Sequence, residues 1–478
     1  MITKGFAIAG LDGGRVTLTS GQLENLGART SGTLLRAGDE GWDEAVRIWN
    51  AMVAKVPALV VQPNSAHDVA AVVSFAREHG LLLSIKGGGH NIAGTAIAER
   101  GLMLDMSRMR QVTVDPDARL AHVGPGCLLK DVDRATQEHG LATVLGFVSE
   151  TGVAGLTLGG GFGYLTRRFG WAVDNLEEVE IVTADGKIRA ANRDENADLF
   201  WALRGGGGNF GVVTRFTFRL HEVGPTITGG LILWSAERAD EVLATYRELT
   251  ARAPRELTAA AVALTAPPAP FIPEPWHGKP VIGMLVCHSG RNAEADLAAV
   301  RALGHPVADL VSEKPYAAQQ SMLDDSPSEA KGLHQYWKAE FIPGLSSEYL
   351  DTFRDAALKA TSPLSYSVIF HIGGALNERA DDDGAVGNRD ARFISGFSGV
   401  WPPADDRAAE HVAWVREGWE RIRPFSTGGN YVNFQLAQDD SARTADAYGK
   451  NYQHLQRVKA EYDPDNLFRV NRNIPPPA

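Results

Sequence analysis

Cysteine is scarce in this sequence. Among its 478 residues only Cys127 and Cys287 carry a thiol, and they lie in distant segments. Such spacing gives no indication of a disulfide framework or of a cysteine-based zinc site. We expect no metal centre in this chain.

A sustained apolar run and an excess of positive charge are also missing. Residues 1–6 hold one basic residue and no apolar stretch with a cleavage site. The sequence therefore predicts no secretory signal and no membrane span, and by default a cytoplasmic location. Lysine and arginine number 47 against 58 aspartates and glutamates, a formal charge of −11. Because nucleic acids and anionic membranes bind basic surfaces, we expect neither as a partner, whereas a small neutral substrate is unrestricted.

Glycine, by contrast, clusters in three loops, at residues 87–89, 159–163 and 205–211. His90 directly follows the first cluster, which itself follows a short apolar run. Glycine turns adopt positive φ and let backbone N–H groups approach a phosphate closely. The pattern predicts a large, phosphate-bearing cofactor wrapped by backbone, with His90 projecting toward it.

The third cluster formally fits the G-x-G-x-x-G pattern of nicotinamide-binding folds, at residues 206–211. That fingerprint needs a strand before it and a helix after it. Here residues 199–203 have helical character and residues 212–218 alternate as a strand. The order is reversed, so the pattern does not indicate a Rossmann fold.

A chain of this length exceeds one ordinary core, so two domains are expected. Before residue 224 short β-like runs alternate with helices. They include a helix at 65–78 with Ser65 as its N-cap, and a hairpin around the turn Asp185-Gly186. Composition changes at 223–225, and an α+β region without glycine loops follows, with a helix at 293–303.

The last segment has a different character, with a predicted strand at 431–435 and a predicted helix at 443–462. We therefore divide the chain into a cofactor-binding domain at 1–224, with its core from about 35, and a substrate-binding domain at 225–424. Residues 425–478 form a C-terminal segment that completes the first domain.

Five motifs occur in one order, at residues 85–91, 159–163, 173–176, 207–211 and 462–468. Together they resemble the berberine bridge enzyme-like FAD-linked oxidases of the vanillyl-alcohol oxidase superfamily. The likeness runs from about residue 35 to residue 474. It implies an α+β fold, in which a two-part FAD-binding domain (PCMH type) surrounds an inserted α+β substrate domain built on an antiparallel sheet with helices.

The resemblance also implies FAD held by backbone loops, with His90 covalently joined to the 8α-methyl group of the flavin. The cofactor-binding residues that it implies are His90, Lys86, Gly87, Gly88, Gly89, Asn91, Gly94, Gly126, Thr151, Gly152, Gly155, Gly159, Gly160, Gly161, Gly163, Asp174, Asn175, Gly208, Asn209, Phe210, Gly211, Val212, Val213, Tyr431 and Asn433.

The chain departs from the family at a second flavin attachment. Many members use a cysteine just ahead of the second glycine loop, and Val148 stands at or near that position. Cys127 lies elsewhere, where a buried thiol acts as a small hydrophobe. We expect one covalent link, through His90, and none at Cys127.

A further departure concerns the catalytic base. Several members use a tyrosine where this chain has Phe434. A strand at 431–435 would send Tyr431 and Asn433 to the face opposite Phe434, so that Tyr431 could not replace the missing hydroxyl. The sugar oxidases tend to have an aromatic residue where this chain has Ile92, which disfavours a carbohydrate substrate.

We expect the inserted domain to supply the base instead. Tyr336, Glu340 and His371 are the candidates, since a buried partner could tune any of them, and Glu378 is a weaker fourth. Each of these residue types is more often an ordinary packed or surface residue.

The resemblance implies an FAD-dependent oxidase that takes a hydride from a small hydroxylated or amine-bearing secondary metabolite. Dioxygen would reoxidise the flavin and give hydrogen peroxide. The alternatives are a dehydrogenase with another acceptor, a sugar or oligosaccharide oxidase, and a flavin carrier that has lost its chemistry. Either a monomer or a homodimer is compatible with the sequence.

Overall fold

The computed structural model of the chain describes residues 5–439 and 441–477. Its strands are β1 Phe6–Ala9, β2 Arg15–Leu18, β3 Thr33–Leu35, β4 Leu59–Gln62, β5 Leu83–Lys86, β6 Leu102–Asp105, β7 Val112–Asp115, β8 Leu120–Val123, β9 Leu141–Ala142, β10 Leu176–Val182, β11 Ile188–Asn192, β12 Val212–Arg219, β13 His221–Glu222, β14 Thr226–Ser235, β15 Leu257–Thr265, β16 Pro280–His288, β17 Ala308–Asp309, β18 Ser312–Pro315, β19 His334–Ile342, β20 Tyr366–His371 and β21 Phe393–Trp401.

The α-helices are α1 Ser20–Arg29, α2 Trp42–Ala45, α3 Ala66–Glu78, α4 Leu129–Gln137, α5 Val153–Leu158, α6 Thr166–Phe169, α7 Ala197–Leu203, α8 Ala239–Arg252, α9 Ala293–Asp296, α10 Ala298–Ala302, α11 Tyr316–Gln320, α12 Ser347–Ala357, α13 Ala408–Ile422, α14 Ser441–Tyr448 and α15 Tyr452–Tyr462. Among these helices of the described residues, none combines the length and the apolarity needed to cross a lipid bilayer.

A small sheet with strand order β3-β4-β6-β5 carries the first glycine loop. Strands β4, β6 and β5 run parallel, and α3 connects β4 to β5. As predicted, α3 starts after Ser65, whose side chain accepts a hydrogen bond from the Asp68 N–H. Because α3 buries Val69, Val72 and Phe75 against the sheet, the end of β5 is held in place.

A second sheet, with order β11-β10-β12-β8-β7, is antiparallel. The predicted hairpin is present, since Val182 pairs with Ile188 and Gly186 takes the positive φ of +78° that its turn requires. Helix α7 precedes the third glycine loop and β12 follows it, which confirms that this loop is not a Rossmann turn.

A large antiparallel sheet follows, with order β17-β14-β16-β15-β20-β21-β19 and β18 paired with β14. One of its faces packs against α8, α12 and α13 in a core that includes Tyr246, Tyr349 and Trp414. The opposite face lines a cavity shared with the glycine loops. The proposed division at 224 and 424 stays a prediction.

Three predicted elements differ from the structure. The helix expected at 293–303 is interrupted at Leu297, and the one expected at 443–462 is interrupted where Gly449 has a φ of +49°. The strand expected at 431–435 is a 3₁₀-helix, Val432–Phe434. Side chains three residues apart eclipse in a 3₁₀-helix, so Tyr431 and Phe434 lie on the same side. Their ring centroids are 4.9 Å apart, and the predicted separation of their faces was wrong.

Candidate active site

A cavity of about 650 Å³ lies between the glycine loops and the large sheet. Backbone forms one wall. The glycines along this wall are Gly87, Gly88, Gly89, Gly152, Gly155, Gly207, Gly208 and Gly211.

Two kinds of glycine build this wall. Gly88 and Gly152 hold two loops in contact, because a Cβ on Gly88 would lie 2.5 Å from the Gly152 Cα. Gly155 and Gly208 instead face open space, with no atom within 4 Å of where a Cβ would stand. We call the space beside Gly155 and Gly208 the slot. Side chains at these two positions would fill it, so their absence leaves room for a flat ligand against the backbone.

His90 lines the same cavity, on the loop after β5. The ring of Trp49 stacks on it, with centroids 4.3 Å apart. The Trp49 N–H donates to the Gly89 carbonyl at 3.0 Å, so the stack is tied to the glycine turn. The imidazole is therefore held in one orientation at the cavity wall.

The other wall is aromatic. Phe147 stacks on Phe370 at 4.8 Å between ring centroids, and Phe162 meets Phe370 edge to face at 5.4 Å. Phe434 lies 5.1 Å from Trp337, also edge to face. Aromatic packing of this kind favours a ligand with an apolar, ring-bearing surface.

Tyr431 and Tyr366 are two of the phenols that line the cavity. The Tyr431 hydroxyl accepts hydrogen bonds from the Gly161 N–H at 3.0 Å and the Asn433 Nδ2 at 2.9 Å. Burial raises the pKa of Tyr431 to about 12, although both donors lower it. Burial, followed by the charge of Glu329, raises the pKa of Tyr366 as well. Both phenols are therefore protonated at neutral pH, and Tyr431, whose oxygen accepts both of its hydrogen bonds, can donate to a ligand.

Several buried polar atoms at the cavity have no hydrogen-bond partner within residues 5–439 and 441–477. They include Tyr448 Oη, Asn471 Oδ1 and Trp337 Nε1. Unpartnered buried polar groups are costly, so their position around one cavity indicates that a ligand with polar groups belongs there.

Comparison with known proteins identifies the family. A model described as "FAD binding domain" matches residues 57–192, and one described as "Berberine and berberine like" matches residues 430–475. An FAD-linked oxidoreductase of Dictyostelium discoideum is 30% identical over 451 residues, which cover 93% of this chain and 95% of that protein. The chain belongs to the berberine bridge enzyme-like FAD-linked oxidoreductases.

Other members of this berberine bridge enzyme-like family are similar to the chain at comparable levels. The (R)-6-hydroxynicotine oxidase of Paenarthrobacter nicotinovorans is 30% identical and covers 93% of this chain and 97% of its own length. The crystal structure of 6-hydroxy-D-nicotine oxidase from Arthrobacter nicotinovorans has a TM-score of 0.81, at 26% identity and 93% and 98% coverage. A variant of berberine bridge enzyme, at 20% identity and a TM-score of 0.84 over 96% and 99% of the chains, shares the α+β fold.

The residues of this family member fit FAD. The slot along Gly155 and Gly208 would take the cofactor against backbone, and His90 borders the same cavity. The predicted cofactor-binding residues that line the cavity are Gly87, Gly88, Gly89, His90, Asn91, Thr151, Gly152, Gly155, Gly208, Asn209, Gly211, Val212, Val213, Tyr431 and Asn433.

Other predicted cofactor-binding residues do not line the cavity. The Lys86 Nζ donates to the Ala45 carbonyl at 2.6 Å. The carboxylate of Asp174 is buried and pairs with Arg389. The residues of this group are Lys86, Gly94, Gly126, Gly159, Gly160, Gly161, Gly163, Asp174, Asn175 and Phe210.

The base candidates Tyr336, Glu340 and His371 do not line the cavity either. Their side chains lie on the opposite, helix-covered face of the large sheet. The Tyr336 hydroxyl accepts from Arg416 at 2.9 Å, and Glu340 accepts from Trp419 Nε1 at 2.6 Å.

His371 stacks on Phe393, and burial lowers its pKa well below the usual range. Glu378 forms an exposed ion pair with Arg255. None of these four candidates is in a position to contact a ligand in the cavity. For Tyr336, Glu340 and His371 the physical reason is the two-residue period of a strand, which turns alternate side chains away from the cavity. Glu378 instead lies in the 3₁₀-turn Ala375–Glu378.

The two positions considered for a second covalent flavin link, Val148 and Cys127, have different surroundings in the structure. Val148 lines the cavity, whereas Cys127 is buried outside it with its Sγ 3.6 Å from the Gln111 carbonyl. Burial raises the pKa of Cys127 to about 12, so its thiol stays protonated.

Sequence reasoning missed several cavity residues. Trp49 and Glu329 come from loops outside the glycine motifs, and Tyr366 and Trp337 come from strands of the large sheet. No local pattern marks the first two. For the strand residues, alternation defines the faces but does not say which face meets the cofactor.

Proposed function

We propose that this protein is an oxidase that carries FAD on His90 and oxidises a small, apolar, ring-bearing substrate with a hydroxyl or amine group. The main observation in support is that one cavity is lined both by the backbone slot at His90 and by aromatic side chains. Bound FAD would supply the redox chemistry, accepting a hydride from the substrate and passing electrons to dioxygen.

The chain's own contribution is binding and orientation. Phe147, Phe370 and Phe434 would bury the apolar part of the substrate and exclude water from it. Tyr431 already accepts two hydrogen bonds, so its hydroxyl proton is available for the oxygen or nitrogen of the substrate. This contact would fix the carbon to be oxidised over the slot.

The polarity of the cavity supports an apolar substrate over an oligosaccharide. Sugars need many hydrogen-bonding side chains, whereas the large-sheet wall presents residues such as Val262, Leu285, Val368 and Ile394. The nicotine-oxidising relatives, with their ring-bearing amine substrates, agree with this preference.

Anaerobic titration tests the proposal. The purified protein is mixed with a panel of cyclic amines, benzylic and allylic alcohols, phenols and oligosaccharides, and the loss of flavin absorbance is followed. We expect bleaching by an amine or alcohol that bears a ring. Admitting air should restore the absorbance within seconds and give one hydrogen peroxide per substrate oxidised.

Each part of the proposal has its own contrary outcome. Bleaching by oligosaccharides alone contradicts the substrate class. Slow recovery in air, with rapid recovery after adding a quinone or dye acceptor, identifies a dehydrogenase. If acid-precipitated protein is colourless while the supernatant holds all the FAD, the attachment at His90 is contradicted, and His90→Ala serves as the unlinked reference.

A further inference from the structure

A carboxylate from the inserted region faces the histidine of the first glycine loop. Glu329 ends the 3₁₀-turn Pro327–Glu329, and its Oε2 lies 3.7 Å from the His90 Nε2. The two side chains are only 9% and 13% exposed. Within the part of the chain that the structure describes, neither atom has a hydrogen-bond partner.

The surrounding contacts fix both partners. Trp49 stacks on His90, and the next residue, Asn50, exchanges hydrogen bonds with Gln335, its Nδ2 reaching the Gln335 carbonyl and its Oδ1 the Gln335 N–H, each at 3.1 Å. The Gln335 Nε2 in turn donates to the Ser328 carbonyl at 2.8 Å. The loop that holds the imidazole is thereby tied to the turn that holds the carboxylate.

A carboxylate beside one imidazole nitrogen decides the tautomer. A neutral imidazole has one N–H donor and one lone-pair acceptor, and the partner of one nitrogen sets the state of the other. A carboxylate near Nε2 favours the tautomer with the proton on that nitrogen, in which Nδ1 keeps its lone pair. Glu329 also carries the negative charge that a positive imidazole would need in a buried place.

We propose that Glu329 is a positioning residue for the attachment of FAD to His90, an inference that rests on the covalent link proposed above. Its carboxylate, 3.7 Å from Nε2, favours the proton on that nitrogen, which leaves the Nδ1 lone pair free to attack the 8α-methyl carbon. A bond forms between Nδ1 and that carbon, and one methyl C–H bond breaks with its proton passing to the flavin ring. The electron pair stays on the flavin until dioxygen takes two electrons and two protons as hydrogen peroxide. The alkylated imidazole then carries a positive charge opposite Glu329.

The full-length protein with Glu329→Gln, which keeps size and removes the charge, tests this role. Glu329→Asp keeps the charge on a shorter side chain, and Asp325→Asn makes the same charge change at an exposed position of the same segment. Purified protein is incubated with excess FAD in air, precipitated with acid at intervals, and the flavin in the precipitate is measured. Total bound FAD and the melting temperature are measured before precipitation.

We expect Glu329→Gln to attach FAD about tenfold more slowly, because the imidazole loses the neighbouring negative charge that stabilises its positive, alkylated form. Total bound FAD and melting temperature should stay unchanged, which a merely structural role would not produce. Glu329→Asp should recover part of the rate, and Asp325→Asn should match the unmodified protein.

Attachment at the normal rate in Glu329→Gln overturns the inference. If that variant is insoluble, Glu329→Asp decides, since an unchanged rate contradicts the role and a slower rate supports it. An unmodified protein that binds FAD and is bleached by substrate, yet attaches none, overturns the inference while the oxidase proposal stands. A protein that binds no FAD and is bleached by nothing contradicts the proposed function itself.

Discussion

The backbone conformation at Tyr431 determines whether its hydroxyl group can contact a ligand in the cavity. A strand would point its hydroxyl away from Phe434, whereas the 3₁₀-helix Val432–Phe434 places both rings at the cavity. Gly161 N–H and Asn433 Nδ2 hold the hydroxyl oxygen, which leaves its proton for a ligand. The hydroxyl missing at Phe434 is thus present three residues earlier.

Tyr431→Phe tests whether this hydroxyl binds substrate. We expect kcat/KM for flavin reduction to fall by about tenfold or more, because one hydrogen bond to the substrate is lost. Unfolding free energy should fall by about 1–3 kcal/mol, since two buried donors lose their acceptor. Stopped-flow reduction and urea unfolding measure the two effects. Tyr452→Phe, on the half-buried face of α15, is the control, and a stability loss without any change in kcat/KM would make Tyr431 purely structural.

At the level of single elements, one face of a strand or helix lines the cavity while the other face packs into the hydrophobic core. The large sheet turns Tyr366, Val368 and Phe370 to the cavity and the intervening Ile369 to the helices. Helix α5 likewise presents Gly155 to the slot while Val153 enters the core. The cofactor cradle therefore depends on small side chains on one face of a short helix.

Gly155→Ala distinguishes an effect on cofactor binding from an effect on folding. We expect the variant to bind less FAD, while the stability of its apoprotein stays the same or rises. Alanine is favoured over glycine inside a helix by about 1 kcal/mol, so the apoprotein should melt at the same or a higher temperature. The added methyl group enters the slot, so the ratio of flavin to protein absorbance should fall. Gly27→Ala, on the exposed face of α1, should stabilise without loss of flavin. Full flavin content in Gly155→Ala would contradict the position of the slot.

The ion pair between Asp174 and Arg389 joins the 3₁₀-turn Ala172–Asn175 to the loop before β21. Both Asp174 oxygens accept from Arg389 at 2.7 Å, and the two side chains are 0% and 2% exposed. Asp174→Asn should lower the unfolding free energy by about 3–5 kcal/mol, because the buried guanidinium loses its counter-charge. Denaturant unfolding measures this loss.

Glu44→Gln is the matched control, since the exposed pair of Glu44 with Arg47 is worth at most about 1 kcal/mol. We expect the flavin content of folded Asp174→Asn to stay normal. A stable variant that has lost its flavin would instead assign Asp174 to the cofactor, as the family resemblance implies.

At the scale of the whole molecule, α4 in the first half of the chain packs against α11 in the second half through a buried carboxylate. Asp133 accepts from the Gln320 Nε2 at 3.1 Å, and its Oδ1 has no hydrogen-bond partner among the described residues. Burial raises the pKa of Asp133 from 3.8 to about 7, with Asp324 nearby adding to the rise and Gln320 opposing it.

This carboxylate predicts how stability depends on pH. The unfolded chain releases the proton near pH 4 and the folded chain holds it to about pH 7, so the folded state binds more protons between these values. The contribution of Asp133 is therefore most favourable below pH 4 and declines as pH rises toward 7. Asp133→Asn should raise the melting temperature at pH 8 and flatten its slope from pH 4 to 7. The exposed Asp117→Asn is the control, and an unchanged slope in Asp133→Asn would show that another group governs the pH response.

The family, the cofactor class and most of the regular elements are predictable from the amino-acid sequence alone. Glycine clusters and His90 indicate a phosphate-bearing cofactor, because only glycine permits close backbone approach at several loops. The N-cap at Ser65 and the turn at Gly186 locate their helix and hairpin, since both signals act within a few residues.

Which side chains meet in the cavity becomes known only from the packing of the folded chain. Alternation placed Tyr336, Glu340 and His371 on one face of a sheet, but it did not say that helices would cover that face. The approach of Glu329 to His90 likewise depends on two loops far apart in the chain. A local sequence pattern gives the spacing of side chains along one segment. Which face of a strand lines the cavity, and which distant residue a side chain contacts, depends on how the sheets and helices pack together.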